Sequence, residues 1–159
     1  MRWEEIGELP CSVARTLSVV GDRWTMLVIR NCFLGTRRFG DFQQQLDITK
    51  HLLTARLKKL VEHGILRKDL YQEKPARYEY RLTDKGKDLY PILMAVIAWG
   101  DKYMAGDAGP PVVYEHKVCG HEMHPILVCS ECKEELPPRD VLPKIGPGLL
   151  AHQVEEQPT

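Results

Sequence analysis

The sequence predicts a mainly α-helical fold with one small β-hairpin, an α+β class, followed by a small C-terminal module. Three observations predict it. Several segments repeat apolar residues at helical spacing, two adjacent runs alternate apolar and polar residues, and cysteines and histidines cluster near the C-terminus. A chain of 159 residues has room for one domain of ordinary size and such a module.

The composition is that of an ordinary soluble globular protein, with 43 % hydrophobic and 28 % charged residues. The apolar runs are far shorter than the roughly 20 residues that span a membrane. Residues 1–10 are acidic and have no apolar core, so we expect no signal peptide. The five cysteines are an odd number, which favours a cytoplasmic location and thiols used for metal or redox chemistry.

The formal net charge of +0 conceals a basic middle. Between Arg37 and Asp88, 13 Lys or Arg residues stand against 8 Asp or Glu residues. Such a segment inside a neutral chain is a mild indication of nucleic-acid binding, and an ordinary solvated surface explains it equally well.

The first two helices are predicted from their apolar stripes. Residues 12–20 form the first, with Ser12 as N-cap, Gly21 at its end and a stripe of Val13, Leu17 and Val20. Asp22 caps the second, which ends at Gly35 and points inward the side chains of Trp24, Leu27, Val28 and Cys32. A short extended segment then leads into a small helix over about 41–46.

A helix of about fourteen residues follows, from the N-cap Thr49 to the glycine stop Gly64. Its leucines recur at i, i+4 and i+7 and predict one buried stripe of Leu53, Leu57 and Leu60. At about 100° per residue the opposite face holds small, polar and basic side chains. These are His51, Ala55, Lys58 and Glu62, flanked by Thr54 and Lys59.

Residues 65–71 and 76–83 alternate apolar and polar residues and predict a β-hairpin whose tip carries Lys74 and Pro75. Thr83 caps the last helical region, which Pro91 breaks or kinks. From 89 to 104 apolar residues surround most of the helix circumference. Such a helix needs cover on more than one side, and we expect a second subunit to supply it.

This order of helices and hairpin is that of a winged helix-turn-helix. A helix fits the major groove of B-DNA, where its outward side chains reach base edges. The hairpin tip can place Lys74 or Arg77 in the adjacent minor groove or on a phosphate. The amides at the helix N-terminus near Thr49 can take a phosphate oxygen.

Residues 11 to about 104 resemble the HxlR family of bacterial winged-helix transcriptional regulators, relatives of the MarR group. The resemblance rests on Cys11, "GDRWTMLVIRNCFLGTRRFGDF", "LTARLKKLVEHGIL", "RYEYRLTDKGKDL" and the terminal "WG". It implies a homodimer, built largely from the first and last helices, on a near-palindromic double-stranded operator. It also implies a recognition helix over 49–63, a wing over 72–78, and DNA contacts at Arg37, Arg38, Thr49, Lys50, His51, Thr54, Lys58, Lys74 and Arg77.

Two features of the resemblance leave alternatives open. Arg37 and Arg38 match a basic pair for which a phosphate contact and a structural role are equally open, and the turn segment "LDITKHLL" is shorter than usual in the family.

Some members carry a cysteine at the position of Cys11 that senses oxidants, and a helix N-terminus favours the reactive thiolate. A packed structural thiol is the alternative for Cys11, whereas Cys32 is expected in the core.

Residues 116–132, "HKVCGHEMHPILVCSEC", contain two pairs of residues with the spacing of metal ligands. Zinc prefers four ligands in a tetrahedron. We expect a structural zinc held by His116, Cys119, Cys129 and Cys132, at the spacing of a zinc ribbon. His121 or His124 can replace His116 as the fourth ligand, and a thiol-based sensor is the alternative use of these cysteines.

These patterns divide the chain into a winged-helix DNA-binding and dimerisation domain over 1–105, a linker over 106–112, a zinc-ribbon-like module over 113–145 and a flexible tail over 146–159. We expect a DNA-binding transcriptional regulator, with a response to redox conditions or a small ligand left open. The alternatives are a protein-interaction module of a larger assembly and a metal or thiol sensor. An enzyme is not expected, because the sequence has no Gly-rich phosphate loop, catalytic triad or carboxylate pair tied to a histidine.

Overall fold

A computed structural model describes the backbone of residues 3–155 and the side chains of residues 5–152. The contacts between residues divide the chain into two units, which separate between Tyr90 and Pro91. Within the described part, no helix is long and apolar enough to cross a membrane.

The first unit contains the predicted helices and hairpin in the predicted order. A 3-10 turn over Trp3–Glu8 precedes α1 (Ser12–Val20), α2 (Thr25–Phe33), α3 (Phe39–Leu46) and α4 (Lys50–Glu62). Strands β1 (Leu66–Gln72) and β2 (Arg77–Leu82) pair in antiparallel fashion, and α5 (Asp84–Lys87) follows. The mixed α+β class and the small β-hairpin of the wing are therefore confirmed.

Most helix ends lie where local chemistry predicts them. The hydroxyl of Thr49 accepts a hydrogen bond from the amide of Leu52 at 3.4 Å, and Thr83 accepts one from Gly86 at 3.1 Å. Gly64 has a φ of +67°, a conformation that glycine adopts without strain. The prediction for α1 was wrong by one residue. Cys11, with extended backbone, is the N-cap, and Ser12 is already helical.

The core of the first unit confirms the leucine stripe of α4. Leu53, Leu57 and Leu60 are at most 1 % exposed and pack with side chains of α2, α3 and the base of the hairpin, namely Val28, Ile29, Phe42 and Leu66. The stripe expected on α1 is buried only at Val20, while Val13 and Leu17 are exposed. The physical reason is that α1 turns Ala14 and Val20 inward, with Val19 packed beside the core, so that Val13 and Leu17 face outward.

The helix α6 (Tyr90–Met104) belongs to the second unit except for Tyr90, and Pro91 lies in its first turn, where the missing amide hydrogen costs no hydrogen bond. The break predicted at Pro91 lies instead at residues 88–89, just before this helix. Strands β3 (Tyr114–His116) and β4 (His121–Met123) form a second hairpin, and α7 (Pro147–Glu155) follows a 3-10 turn over Pro138–Asp140. The tail predicted over 146–159 thus contains α7, and residues 156–159 lie outside the described part.

Candidate nucleic-acid interface

A three-residue turn joins α3 to α4. Asp47 has left-handed backbone angles, with φ 47° and ψ 41°, and Ile48 is buried in the core. Thr49 then caps α4. Because the turn is short and anchored by Ile48, the direction in which α4 leaves α3 is fixed.

The outer face of α4 is exposed along its length. Its exposed side chains include all four residues predicted to contact DNA from within this helix: Lys50, His51, Thr54 and Lys58. The hydroxyl of Thr54 donates to the carbonyl oxygen of Lys50 at 2.8 Å. Nζ of Lys58 lies 3.6 Å from the Glu62 carboxylate, one helical turn away. An exposed pair of this kind is weak and is readily exchanged for another anion.

Two other basic residues of α4 face the protein instead. Nζ of Lys59 donates to the carbonyl oxygen of Ser18 at 2.7 Å. Nε of Arg56 lies 2.8 Å from Oδ1 of Asp22 as an ion pair, although its N–H makes no aligned hydrogen bond. The prediction that Lys59 flanks the outer face is corrected by this contact, and Arg56 is a supporting residue that sequence patterning missed.

Asp22 connects α4 to the start of α2. Its carboxylate accepts hydrogen bonds from the amides of Trp24 and Thr25 at 3.0 and 3.1 Å, and a further one from the Thr25 hydroxyl. Burial alone would raise the pKa of Asp22, but these hydrogen bonds and the charge of Arg56 together hold the pKa below its usual value. The predicted cap position was wrong, because α2 begins at Thr25 and its N-cap residue is Trp24. Asp22 lies two residues earlier, where its carboxylate still accepts hydrogen bonds from the first amides and also pairs with Arg56 of α4.

The wing presents a basic tip. Lys74 and Arg77 are exposed at the turn between β1 and β2. The side-chain amide of Gln72 donates to the carbonyl oxygens of Lys74 and Pro75 at 3.1 and 3.3 Å. Because both bonds go to the main chain, the turn is held while its side chains stay free to face a ligand.

Two basic side chains, those of Lys68 and Arg38, contact aromatic rings of the hairpin. Nζ of Lys68 lies 3.8 Å from the ring centre of Tyr78. The guanidinium of Arg38 lies 4.8 Å from the ring centre of Tyr71. These cation–π pairs were not predicted from the sequence. Period-two alternation could have indicated the cross-strand pairing of Leu70 with Tyr78, but it contains no information on which cation approaches which ring.

Arg37 and Arg38 run beside β2. The amide of Tyr80 donates to the carbonyl oxygen of Arg37 at 2.8 Å, and Arg38 makes an isolated β-bridge with Glu79. Nε of Arg38 lies 3.3 Å from the Glu79 carboxylate. The side chain of Arg38 therefore has structural partners, whereas that of Arg37 is exposed. A depression of about 390 Å³ opens here, lined by Arg38, Phe39, Gly40, Tyr71, Ala76, Arg77, Tyr78 and Tyr80.

Four of the basic residues predicted to contact DNA have no ion pair in the part of the chain that the structure describes. Within the described side chains, no ion pair engages Arg37, Lys50, Lys74 or Arg77. They lie before α3, at the start of α4 and at the wing tip. An anionic partner that touches these places meets cations whose charge is not already neutralised.

The two cysteines of the first unit differ in their surroundings. Cys11 is exposed at the N-cap of α1. Cys32 is half-buried beside the core, and burial raises the pKa of its thiol to about 12. Cys32 therefore stays protonated at neutral pH, as expected for a packed thiol.

The four predicted metal ligands lie in two pairs. Nδ1 of His116 is 3.3 Å from Sγ of Cys119, and Cys129 makes a side-chain contact with Cys132. His121 and His124 are exposed. Among the described residues, no three His, Cys, Asp or Glu side chains form one cluster fit to hold a metal ion. The structure thus brings each pair together but does not join the pairs.

The second unit also contains a cavity of about 680 Å³. It is lined mainly by apolar and aromatic side chains of α6, including Trp99 and Tyr103, and by the segment 110–125. This volume lies in the range of small-molecule pockets.

Comparison with known proteins places this geometry in a family. Residues 19–108, more than half of the chain, match the family described as HxlR-like helix-turn-helix. The chain belongs to the HxlR family. It is an HxlR-type HTH transcriptional regulator rather than an enzyme. HTH regulators of this kind bind DNA and typically act as dimers.

Relatives of this HxlR regulator match different fractions of its chain. Rv3095 of Mycobacterium tuberculosis, an uncharacterized HTH-type transcriptional regulator, is 43 % identical over 140 residues, which are 88 % of this chain and 89 % of the relative. The structure of PA1607, described as a candidate transcription factor, is 35 % identical and covers 90 % of this chain and 99 % of its own, with a TM-score of 0.79. The redox regulator HypR in its oxidized form is 33 % identical but covers 58 % of this chain and 96 % of its own, with a TM-score of 0.54.

Proposed function

We propose that this HxlR regulator binds a near-palindromic operator as a homodimer, with α4 of each protomer in the major groove and each wing on the adjacent backbone. The observation that carries the proposal is the outer face of α4, where Lys50, His51, Thr54 and Lys58 are exposed while the leucine stripe behind them is buried. A recognition helix needs one buried face that anchors it to the domain and one exposed face that reaches base edges.

The wing and the segment before α3 add sequence-independent affinity in this proposal. Lys74, Arg77 and Arg37 have no ion pair in the described part of the chain, so each can neutralise a phosphate and release a counterion. Arg38 is assigned mainly to holding the wing, because it already contacts Glu79 and Tyr71. Thr49 contributes the amides at the N-terminus of α4.

The proposed dimer interface consists of the exposed apolar faces of α1 and α6. Val13 and Leu17 on α1, and Ile92, Val96, Trp99 and Tyr103 on α6, are all exposed. Apolar surface of this extent on two helices is unusual for a protomer that stays alone. We assign these apolar faces to contact with a second copy of the chain, because regulators of this family typically act as dimers. The second copy also provides the recognition helix for the second half-site.

The test is a fluorescence-anisotropy titration of the purified regulator against DNA from upstream of its own gene, at several salt concentrations. The proposal predicts saturable binding whose affinity falls steeply with salt. Absence of saturable, salt-sensitive binding to any fragment of that region would reject it. An unrelated fragment of equal length separates specific from general DNA binding.

A response to oxidants is a second proposal, attached to Cys11. Its thiol is exposed at the N-cap of α1, and the similar protein HypR is a redox regulator. The test compares the operator affinity of the wild type and Cys11→Ser before and after mild oxidation. A loss of affinity in the wild type alone supports the proposal, and an equal response of both proteins refutes it.

A further inference from the structure

Residues 114–136 of the regulator form two short hairpins that have no core. The first is β3 with β4. The second pairs Val128 with Glu135, and the amide of Leu136 donates to the carbonyl oxygen of Leu127 at 3.0 Å. From 105 to 152 every residue is exposed or half-buried, and Val118 is 87 % exposed. Modules below about 40 residues without a core usually need a disulfide or a metal to hold them.

The tips of the two hairpins share one backbone geometry. In the first, Gly120 donates its amide to the carbonyl oxygen of His116 at 2.8 Å; in the second, Lys133 donates to Cys129 at 3.0 Å. Both donors have positive φ, +70° for Gly120 and +65° for Lys133. A lysine adopts this conformation only when its surroundings require it. Each tip is thus a tight turn that holds the residues at its first and fourth positions side by side.

The ligand atoms at the first tip have the separation that zinc requires, and the two cysteine side chains at the second tip are in contact. The 3.3 Å between Nδ1 of His116 and Sγ of Cys119 is close to the roughly 3.5 Å that separates N and S in a tetrahedral site. The main-chain amides of Cys132 and Glu131 donate hydrogen bonds to the sulfur of Cys129.

We propose that one Zn²⁺ joins the two hairpin tips, bound by His116, Cys119, Cys129 and Cys132. The pairs do not form one cluster in the structure, so binding draws the tips together and provides the cross-link that the missing core does not. Four protein ligands leave no open position, and the site is therefore structural. Part of this module is shared with Rv3095, because a match of 140 residues cannot fit within the first 113.

The choice of histidine follows from distance. His116 and His121 are partners across the β3–β4 ladder, so their side chains leave the same face of the hairpin. His116 is assigned because its ring nitrogen already contacts the sulfur of Cys119. His121 and His124 are then left as exposed residues whose replacement does not change the metal content.

The experiment measures zinc in the full-length, untagged regulator, purified in reductant, loaded with Zn²⁺ and dialysed against a weak chelator. We expect one Zn²⁺ per protomer in the wild type and in the matched controls Cys11→Ser, His121→Ala and His124→Ala. Cys119→Ser, Cys129→Ser and His116→Ala should lose most of it. Co²⁺ in place of Zn²⁺ should give the absorption of a tetrahedral site with thiolate ligands, and far-UV circular dichroism checks that each variant keeps the first unit folded.

Three results overturn the proposal. They are a wild type that retains no Zn²⁺ after loading, a Cys129→Ser variant that retains full zinc, and a Co²⁺ spectrum without thiolate bands. Loss of metal in His121→Ala together with retention in His116→Ala overturns the ligand set. None of these readouts involves DNA, so they are independent of whether the operator proposal holds.

Discussion

Nζ of Lys59 donates a hydrogen bond to the carbonyl oxygen of Ser18 over 2.7 Å, which fixes α4 to α1. Its neighbour Lys58 is 73 % exposed at its side chain and reaches only the carboxylate of Glu62. Two adjacent lysines on one helix therefore differ in role. Lys59 positions the helix, and Lys58 faces outward, where we place the DNA.

Replacing these two lysines separately should separate stability from DNA binding. Lys58→Ala should lower operator affinity by about 1 kcal/mol, roughly fivefold, and leave the free energy of unfolding unchanged. Lys59→Ala should lower the free energy of unfolding by about 1 kcal/mol, because a charged hydrogen bond to a carbonyl is lost. Urea unfolding and anisotropy titration measure the two effects. Equal behaviour of the two variants would contradict the assignment.

Asp22 should make the stability of the first unit fall in acid. The pKa of Asp22 is lower in the folded state than its value of about 3.9 in the unfolded chain. Its contribution to the free energy of unfolding is therefore fully present above the unfolded pKa and is lost as the pH falls through the folded pKa. Asp22→Ala should cost about 1 to 2 kcal/mol at neutral pH through the lost hydrogen bonds to the amides at the start of α2. It should also flatten the decline in stability below about pH 4. Thermal unfolding as a function of pH checks both. If Asp22→Ala loses stability in acid as steeply as the wild type, other carboxylates dominate the acid dependence of stability.

The wing should supply phosphate contacts. Arg77→Ala and Lys74→Ala should each reduce the slope of log K against log salt by about 0.9, with a similar loss of affinity on specific and unrelated DNA. Lys87→Ala removes one positive charge from α5, where the residue is paired with Asp84, and serves as the matched control with an unchanged slope. A slope that changes equally in all three variants would indicate a general charge effect.

The dimer should depend on exposed apolar residues that the protomer does not need for its own fold. Val13→Glu on α1 and Val96→Glu on α6 alter side chains that are 66 % and 55 % exposed. Each should convert the dimer to a monomer with a normal far-UV circular dichroism spectrum. Leu34→Glu, at a residue that is 63 % exposed at the end of α2, should remain dimeric. Sedimentation velocity decides between these outcomes, and a dimeric Val96→Glu variant would remove α6 from the interface.

The two cysteines of the first unit should react at different rates. Burial raises the pKa of Cys32 to about 12, so almost none of its thiol is ionised at neutral pH, while Cys11 is exposed. Iodoacetamide should therefore alkylate Cys11 well before Cys32 in the native protein, as read by peptide mass spectrometry, and unfolding should remove the difference. Equal native rates would show that the region around Cys32 opens readily.

The order of elements could be predicted because its causes are local. The cap at Thr49, the stop at Gly64 and the alternation in the hairpin each depend on residues within a few positions. The leucine stripe of α4 depends only on helical geometry. These features fixed both the class of fold and the exposed face on which Lys50 and Lys58 lie.

Partners that come from distant parts of the chain could not be predicted in this way. Lys59 and Ser18 are 41 positions apart, and a helical projection that places Lys59 at the edge of a face cannot show which side it takes. The exposure of Val13 has the same origin, because the inward face of α1 is chosen by the elements it packs against. For the metal ligands, spacing predicted each pair, whereas joining two pairs depends on a contact between hairpins.

In the proposed complex, the outer face of α4 reads the DNA sequence. The most direct measurement is the ratio of affinities for the operator and for unrelated DNA, compared between the wild type and the double variant Lys50→Ala, His51→Ala. We expect this ratio to fall toward one in the double variant, while binding to unrelated DNA falls much less, because base contacts provide specificity and phosphate contacts do not. A double variant that keeps the wild-type ratio would contradict it.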